Sequence, residues 1–422
     1  MQTLEELQHA IQRHESYVKV DPDNLLLRLT LGDLYHQAGR MDEANACYDY
    51  RLLQAPGDAI ARGRLASVMI SQHRFSEAEQ SLRALIEGGD SDTSLLHNLG
   101  LTLYYQQRWE EARKCFTDTI ERGIATPDAF AYLARTLHHL GMMTEAIEAG
   151  QRWSELAQDS KSKSYLSLLY MDNNDAENSS RLAREVLAES PDDIDANVVA
   201  GMVSAGEQDV GPARLHFETA LRQDKENGRA WLGLGLVQLY QQEHAKAIES
   251  LGHAVRVFPD NPGIIVSLGW AKLAAKDPAG AEEVFEQALR VNRTFSESHG
   301  GLASALAFQR KFERAEQEIK LARRLDPNGF GAEFAETTIL AVQGQTKGAT
   351  DLFERMLQRS PPGGMLPLIE QLRVYATKNG EVQAPEAPKP TPRLKQAMQS
   401  PNKNAKPTQP AKPKGPPKKK KT

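Results

Sequence analysis

The chain has 422 residues and a formal net charge of −5, with 40 % hydrophobic but only 6 % aromatic residues. It contains no run of about 18 apolar residues, so the sequence predicts no membrane-spanning helix and argues against an integral membrane protein. The N-terminus lacks a basic flank followed by an apolar core, so we expect no secretory signal. Cys47 and Cys115 are the two cysteines, and we expect reduced thiols in a cytoplasmic protein.

The net charge is the sum of two regions of opposite charge. Residues 381–422 hold eleven Lys and Arg against two Glu, which gives +9. Residues 1–380 hold the other 40 basic and 54 acidic side chains, which gives −14. An asymmetry of this size indicates a basic tail with a role separate from that of the rest of the chain.

The first element in chain order is a single helix, predicted within residues 1–24. It ends at Asp21-Pro22, because Pro cannot continue a helix from the preceding turn. We expect this helix to cap the apolar end of the solenoid that follows it. Its apolar stripe consists of Leu4, Leu7, Ala10 and Ile11.

From Leu25 to Gly363 one pattern of small and apolar residues recurs ten times, and only the fourth unit is one position shorter than the others. The period is roughly 34 residues, which predicts helix-turn-helix units stacked into a solenoid, an architecture that usually binds other chains. The units are 25–58, 59–92, 93–126, 127–159, 160–193, 194–227, 228–261, 262–295, 296–329 and 330–363.

Three positions of the repeat carry the packing. Counted from the start of each unit, position 8 is small, position 20 is nearly always Ala and position 24 is mostly large. We expect positions 8 and 20 to lie where the two helices of a unit cross, since larger side chains would hold the backbones apart, and position 24 to fill the remaining space. Pro at position 32 of five units ends the second helix.

This pattern resembles that of the tetratricopeptide repeat family. The best match is unit 228–261, whose signature positions hold Trp231, Leu234, Gly235, Ala247, Ala254 and Pro259. The resemblance extends over all ten units, from Leu25 to Gly363. It implies an all-α fold: a right-handed superhelical solenoid of about ten helix-turn-helix units with N- and C-terminal capping helices. It also implies a scaffold or adaptor that binds protein partners.

Two segments follow the repeats. Residues 364–380 predict a C-terminal capping helix that Asn379-Gly380 ends. Residues 381–422 include ten Pro and few large apolar residues, so they cannot offset the entropy of ordering the chain. We therefore predict a disordered Pro/Lys-rich tail there.

The resemblance implies that the first helix of each unit lines a concave groove. On this sequence, several groove positions carry large apolar side chains, which favours binding of an extended peptide or an amphipathic helix of a partner. The alternative is a tight superhelix in which these side chains pack on adjacent units. The candidate partner-binding residues are Leu101, Tyr104, Tyr105, Met202, Leu236, Tyr240, Trp270 and Phe308.

The sequence gives no sign of catalysis, of a cofactor or of a metal site. It contains no Cys-x-x-Cys, His-Glu-x-x-His, Gly-x-Ser-x-Gly or phosphate-binding Gly loop. His138 and His139 are adjacent, and neighbouring helix residues point about 100° apart, which is a poor geometry for binding one metal ion. We therefore predict a protein that is not an enzyme.

The tail supports an alternative function. Its basic cluster has no aromatic residue for base stacking, yet it could recruit nucleic acid, an anionic membrane or an acidic protein, or lie on the acidic solenoid. The sequence leaves these partners open, as it does the oligomeric state. The cluster comprises Lys412, Lys414, Lys418, Lys419, Lys420 and Lys421.

Overall fold

A computed structural model describes residues 4–89 and 92–358, with side chains up to residue 356. Twenty-one helices and no strand occur within these ranges. They follow one another as antiparallel neighbours in an all-α solenoid. The predicted C-terminal capping helix at 364–380 and the basic tail at 381–422 lie outside the described residues.

The first described helix is α1, Leu4–Val20, and it ends just before Asp21-Pro22. Its buried residues are Ala10 and Ile11, and Ile11 packs in a cluster with Leu29 and Leu31. Of the predicted apolar stripe, Ala10 and Ile11 are buried against α2, whereas Leu4 is 85 % exposed, so only part of the stripe packs on the solenoid.

Ten pairs of helices follow α1 in the described part of the chain. We call the first helix of each pair helix A and the second helix B. The A helices are α2 Leu25–Gln37, α4 Ala59–Ser71, α6 Thr93–Tyr105, α8 Pro127–His139, α10 Ser160–Asp172, α12 Ile194–Gly206, α14 Gly228–Tyr240, α16 Pro262–Ala274, α18 Ser296–Phe308 and α20 Phe330–Val342. The B helices are α3 Met41–Gln54, α5 Phe75–Glu87, α7 Trp109–Glu121, α9 Met143–Ala157, α11 Ala176–Glu189, α13 Val210–Gln223, α15 His244–Val257, α17 Pro278–Val291, α19 Phe312–Leu325 and α21 Thr346–Gln358.

The ends of the A helices follow from local chemistry. Eight of them begin after an Asn, Asp or Thr whose side chain accepts a hydrogen bond from the first turn, as Asn227 does from Ala230. The turn after each A helix contains a residue with φ between 58° and 77°, which ends the helix. This residue is Gly39, Gly141 or Gly344 in three turns and a non-Gly residue such as Gln242 in the others.

The side chains at positions 8, 20 and 24 pack as the repeat pattern predicts. The side chains at position 20 are fully buried or nearly so in all ten units. At position 8, a Cβ added to Gly201 would lie 2.7 Å from the ring of Phe217, the residue at position 24 of the same unit. The same ring would lie 2.2 Å from a Cβ on Gly233 in the next unit. Each large residue thus fits a space that only a small residue on helix A leaves open.

The last described A helices approach more closely. A Cβ on Gly300 of α18 would lie 2.5 Å from the backbone of Gly331 in α20, so the two backbones touch. Glu297 accepts hydrogen bonds from the Gly331 N–H at 3.3 and 3.2 Å, and so caps α20, whose preceding residue is Gly329. Burial raises the pKa of Glu297.

Candidate functional site

Seven of the eight predicted groove residues keep accessible surface. Tyr105 and Tyr240 are 45 % and 39 % exposed. The seven stand on different A helices: three on α6, one on α12, two on α14 and one on α18. The half-buried members are Leu101, Tyr104, Met202, Leu236 and Phe308.

Trp270 is not on an accessible surface, and the expectation that it is exposed is wrong. It is 2 % exposed, and its indole ring makes edge-to-face contacts with Phe285 at 5.5 Å, Phe334 at 5.1 Å and Phe330 at 6.0 Å. Phe330 and Phe334 belong to α20, two units further along the chain. Because α20 approaches so closely, the side chain that the sequence placed in the groove belongs to the core.

An aromatic cluster occupies the surface around α6 and α8. Tyr104 lies at its centre and makes edge-to-face contacts with Tyr105, Trp109, Tyr132 and His139, at centroid distances of 5.2 to 6.0 Å. The hydroxyls of Tyr105 and Tyr132 lie 3.1 Å apart. The His139 ring stacks on Trp109 at 4.2 Å, and burial lowers the pKa of His139, so the cluster is uncharged near neutral pH. These contacts fix the rings in place.

Arg135 is the charged residue of this surface. Its guanidinium carbon lies 4.6 Å from the ring centroid of Trp153, 5.0 Å from Tyr165 and 5.6 Å from Tyr132, all within cation–π range. Within the part of the chain that the structure describes, Arg135 makes no ion pair. Burial raises the pKa values of Tyr132 and Tyr165, so the ring hydroxyls stay neutral and supply no counter-charge.

An open cavity of about 490 Å³ lies beside Arg135. Two helices begin at its wall, since Pro127 and Asp128 open α8, and Asp159 and Lys161 flank the start of α10. The other lining residues are Tyr104, Tyr105, Ala131, Tyr132, Arg135, Trp153 and Ala157. The cavity therefore combines aromatic walls with two cations and two carboxylates.

Both carboxylates of this cavity already have hydrogen-bond donors. Asp128 Oδ2 lies 3.0 Å from His97 Nε2, and Asp159 Oδ1 accepts from the Ser162 N–H at 2.8 Å as the cap of α10. Lys161 is exposed. The two aspartates thus have hydrogen-bond partners of their own, whereas Arg135 lines the cavity without a carboxylate partner among the described residues.

A second, smaller cavity of about 330 Å³ shares Lys161 with the first. Its lining is mainly acidic, with Asp192, Asp193 and Asp195. Burial raises the pKa of Asp195, and the nearby charge of Asp193 adds to the effect. The two cavities share Lys161, and the first is formally balanced in charge whereas the second is acidic.

An ion-pair network ties three A helices together next to these cavities. Asp172 at the end of α10 accepts from His138 Nε2 on α8 at 2.8 Å and from both terminal nitrogens of Arg229 on α14 at 2.8 and 2.7 Å. Tyr165 hydrogen-bonds the other ring nitrogen of His138 at 2.9 Å. Burial by itself would raise the pKa of Asp172, but the hydrogen bonds from His138 and Arg229 outweigh it and lower that pKa.

The candidate set from the sequence missed part of this surface. Tyr132 and Arg135 lie on α8 and Tyr165 lies on α10, so the available signal was this group of side chains on the A helices of two successive units. Trp153 lies on helix B (α9), so a search confined to helix A could not find it. Asp172 gives no signal in the sequence, because its partner Arg229 lies 57 positions away.

Family models described as "Tetratricopeptide repeat" match residues 29–93, 97–161, 205–262 and 272–334. A curated relative, the type IV pilus assembly protein PilF of Pseudomonas aeruginosa, is 27 % identical over 158 residues, which is 37 % of this chain. The matched part spans 63 % of the length of that relative.

The chain is also similar to solved structures. The human IFIT1 dimer with m7Gppp-AAAA superposes with a TM-score of 0.51 at 16 % identity, covering 90 % of this chain and 93 % of that one. Yeast Tom70 covers 94 % of both chains, at 16 % identity and a TM-score of 0.36. At these identities, the match to IFIT1 shows a shared helical-solenoid architecture.

Proposed function

The chain belongs to the tetratricopeptide repeat family, and from that premise we propose that it is a non-catalytic scaffold that binds a segment of a partner protein in its concave groove. The partner segment is an extended peptide or a helix. No helix among residues 4–89 and 92–358 is long and apolar enough to cross a membrane. The cytoplasmic location expected from the sequence stays a prediction.

One observation carries this proposal: an open cavity of about 490 Å³ with aromatic walls, on the surface of α6, α8 and α10. Tyr104, Tyr105 and Tyr132 supply rigid apolar area with polar edges, which is typical of residues that dominate binding energy at interfaces. Since their rings are already fixed by mutual contacts, little side-chain entropy is lost when a ligand binds.

The test is a quantitative pull-down with the full-length protein and with matched variants. Replacing both accessible aromatic residues, Tyr105→Ala and Tyr240→Ala, should remove the partners that the wild type retains. Leu215→Ala is the control, because Leu215 is 59 % exposed but lies on helix B (α13). Partners retained equally by all three proteins would contradict binding at this surface.

The basic tail carries a second proposal, that it recruits nucleic acid, an anionic membrane or an acidic protein. The +9 charge of residues 381–422 favours it. If about five phosphates are neutralised, affinity for nucleic acid should fall with salt at a log–log slope near −3.5 to −4.5. Unchanged binding by the 1–380 truncation, or binding independent of salt, would exclude this role.

A further inference from the structure

The cavity beside Arg135 offers a positive charge that is held in place and that makes no direct ion pair among the described residues. Three aromatic rings surround the guanidinium at 4.6 to 5.6 Å, so its position is set by packing. Arg229, by contrast, is paired with Asp172. A half-buried cation without a counter-ion favours binding of an anion from outside the chain.

The charges around the cavity restrict the anion. Arg135 and Lys161 are balanced formally by Asp128 and Asp159, and the adjoining cavity adds Asp192, Asp193 and Asp195. A polyanion such as a nucleic acid would bring several phosphates next to these carboxylates, and like charges at close range are unfavourable. A single carboxylate on Arg135 avoids that repulsion and matches the planar fork of the guanidinium.

The shape of the surface indicates where this carboxylate comes from. The cavity is open to solvent, and it adjoins the acidic cavity through Lys161, which lines both. An extended segment that crosses the cavity can place a side chain against Arg135 and continue beyond it, because the cavity is open. An acidic side chain within a segment fits this open shape, and a terminal carboxylate is the alternative that the experiment below distinguishes.

We propose that Arg135, held among Trp153, Tyr165 and Tyr132, is the binding site for an Asp or Glu side chain of an extended partner segment, with the tyrosine walls packing against the neighbouring residues of that segment. This inference rests on the proposed function, because it names the chemistry of the segment that the groove binds. Arg135 supplies paired N–H donors, and Lys161 adds charge at the rim.

The experiment uses a phage-displayed library of random linear peptides, selected on the full-length wild-type protein, on Arg135→Gln and on Arg184→Gln. Arg184 is exposed on helix B (α11), so its variant removes the same charge away from the groove. The wild type and Arg184→Gln should enrich peptides with Asp or Glu at one fixed position, and Arg135→Gln should not.

Synthetic versions of the enriched peptides then test the contact itself. Replacing the acidic residue with its amide should weaken binding to the wild type about tenfold or more, since charged hydrogen bonds are the strong ones. The same replacement should have no further effect on Arg135→Gln, as expected for a direct pair in a double-mutant cycle. Arg135→Lys, which keeps the charge over the rings, should fall between the two.

Each outcome decides between the two proposals. Enriched peptides without an acidic position, or with an amide replacement that leaves binding unchanged, overturn the Arg135 site and leave groove binding intact. Loss of binding only when the peptide C-terminus is amidated assigns a terminal carboxylate and overturns the side-chain source. Failure of the wild type to enrich any peptide overturns both. The peptide-side replacement needs no protein variant, so a folding defect in Arg135→Gln does not obscure the result.

Discussion

Arg229 donates from its two terminal nitrogens to the two carboxylate oxygens of Asp172, at 2.8 and 2.7 Å, although the residues lie 57 positions apart. Arg229 lies in the first turn of α14 and Asp172 is the last residue of α10, so the pair spans α12, the helix A that lies between them. His138 on α8 donates to the same carboxylate at 2.8 Å. The A helices are therefore stabilised by a polar bridge across units, in addition to the core between neighbouring helices.

We expect Asp172→Asn to lower the free energy of unfolding by about 1–3 kcal/mol at pH 7, because the variant loses charged hydrogen bonds to Arg229 and His138. The pKa of Asp172 is lower in the folded protein than its ordinary value of 3.8. Its contribution is therefore fully present above pH 3.8 and is lost as pH falls through the folded pKa. Denaturant unfolding of both proteins at several pH values checks this: their difference should shrink below pH 3.8, and a constant difference would contradict the pair.

Phe217, at position 24 of its unit, packs closely on Gly233, at position 6 of the next unit, and this contact gives a second prediction. In Gly233→Ala, the new methyl group would lie 2.2 Å from the ring of Phe217, so the helices must move apart. We expect a loss of about 1–3 kcal/mol in thermal or denaturant unfolding. Gly252→Ala is the control, because nothing lies within 4 Å of its added Cβ, and Ala inside a helix should stabilise by about 0.5–1 kcal/mol.

The turns after the A helices predict a stabilising substitution. Gln242 has φ 61°, a left-handed conformation that costs a non-Gly residue about 1–2 kcal/mol. Gln242→Gly should raise the free energy of unfolding by about 0.5–1 kcal/mol after the entropy of Gly is subtracted. The neighbouring Gln241 has φ −79°, so Gln241→Gly should destabilise in the same assay. Equal effects at both positions would show that the conformation is unimportant.

Trp270 is buried and Tyr240 is exposed, so substitutions at the two positions should differ in their effect on stability. Trp270→Ala should lower the free energy of unfolding by about 3–5 kcal/mol, because it opens a cavity between α16 and α20. Trp270→Phe should cost much less, since the indole N–H has no hydrogen-bond partner among the described residues and the ring contacts are largely kept. Tyr240→Ala should leave the melting temperature nearly unchanged, because Tyr240 is exposed. A Trp270→Ala variant as stable as the wild type would contradict the assignment of Trp270 to the core.

The repeat made the fold predictable, because positions 8, 20 and 24 encode packing within one unit. Gly201 and Phe217 belong to the same unit, and their fit could be inferred from size alone. The burial of Trp270 could not, since it depends on α20 approaching α16 across an intervening unit, and no periodic position encodes that approach. The site at Arg135 could not be inferred either, because its surroundings come from helices of two units, including Trp153 on helix B.

The ring of Phe217 lies between Gly201 of its own unit and Gly233 of the following one, so it belongs to two repeats at once. If the following repeat detaches, one side of that ring becomes hydrated, and the repeat left behind is weakened as well. Melting should therefore spread as a front from either end of the array, with nearest-neighbour coupling larger than the intrinsic stability of a single unit. Amide hydrogen exchange should then be slowest in the middle units and become faster towards both ends.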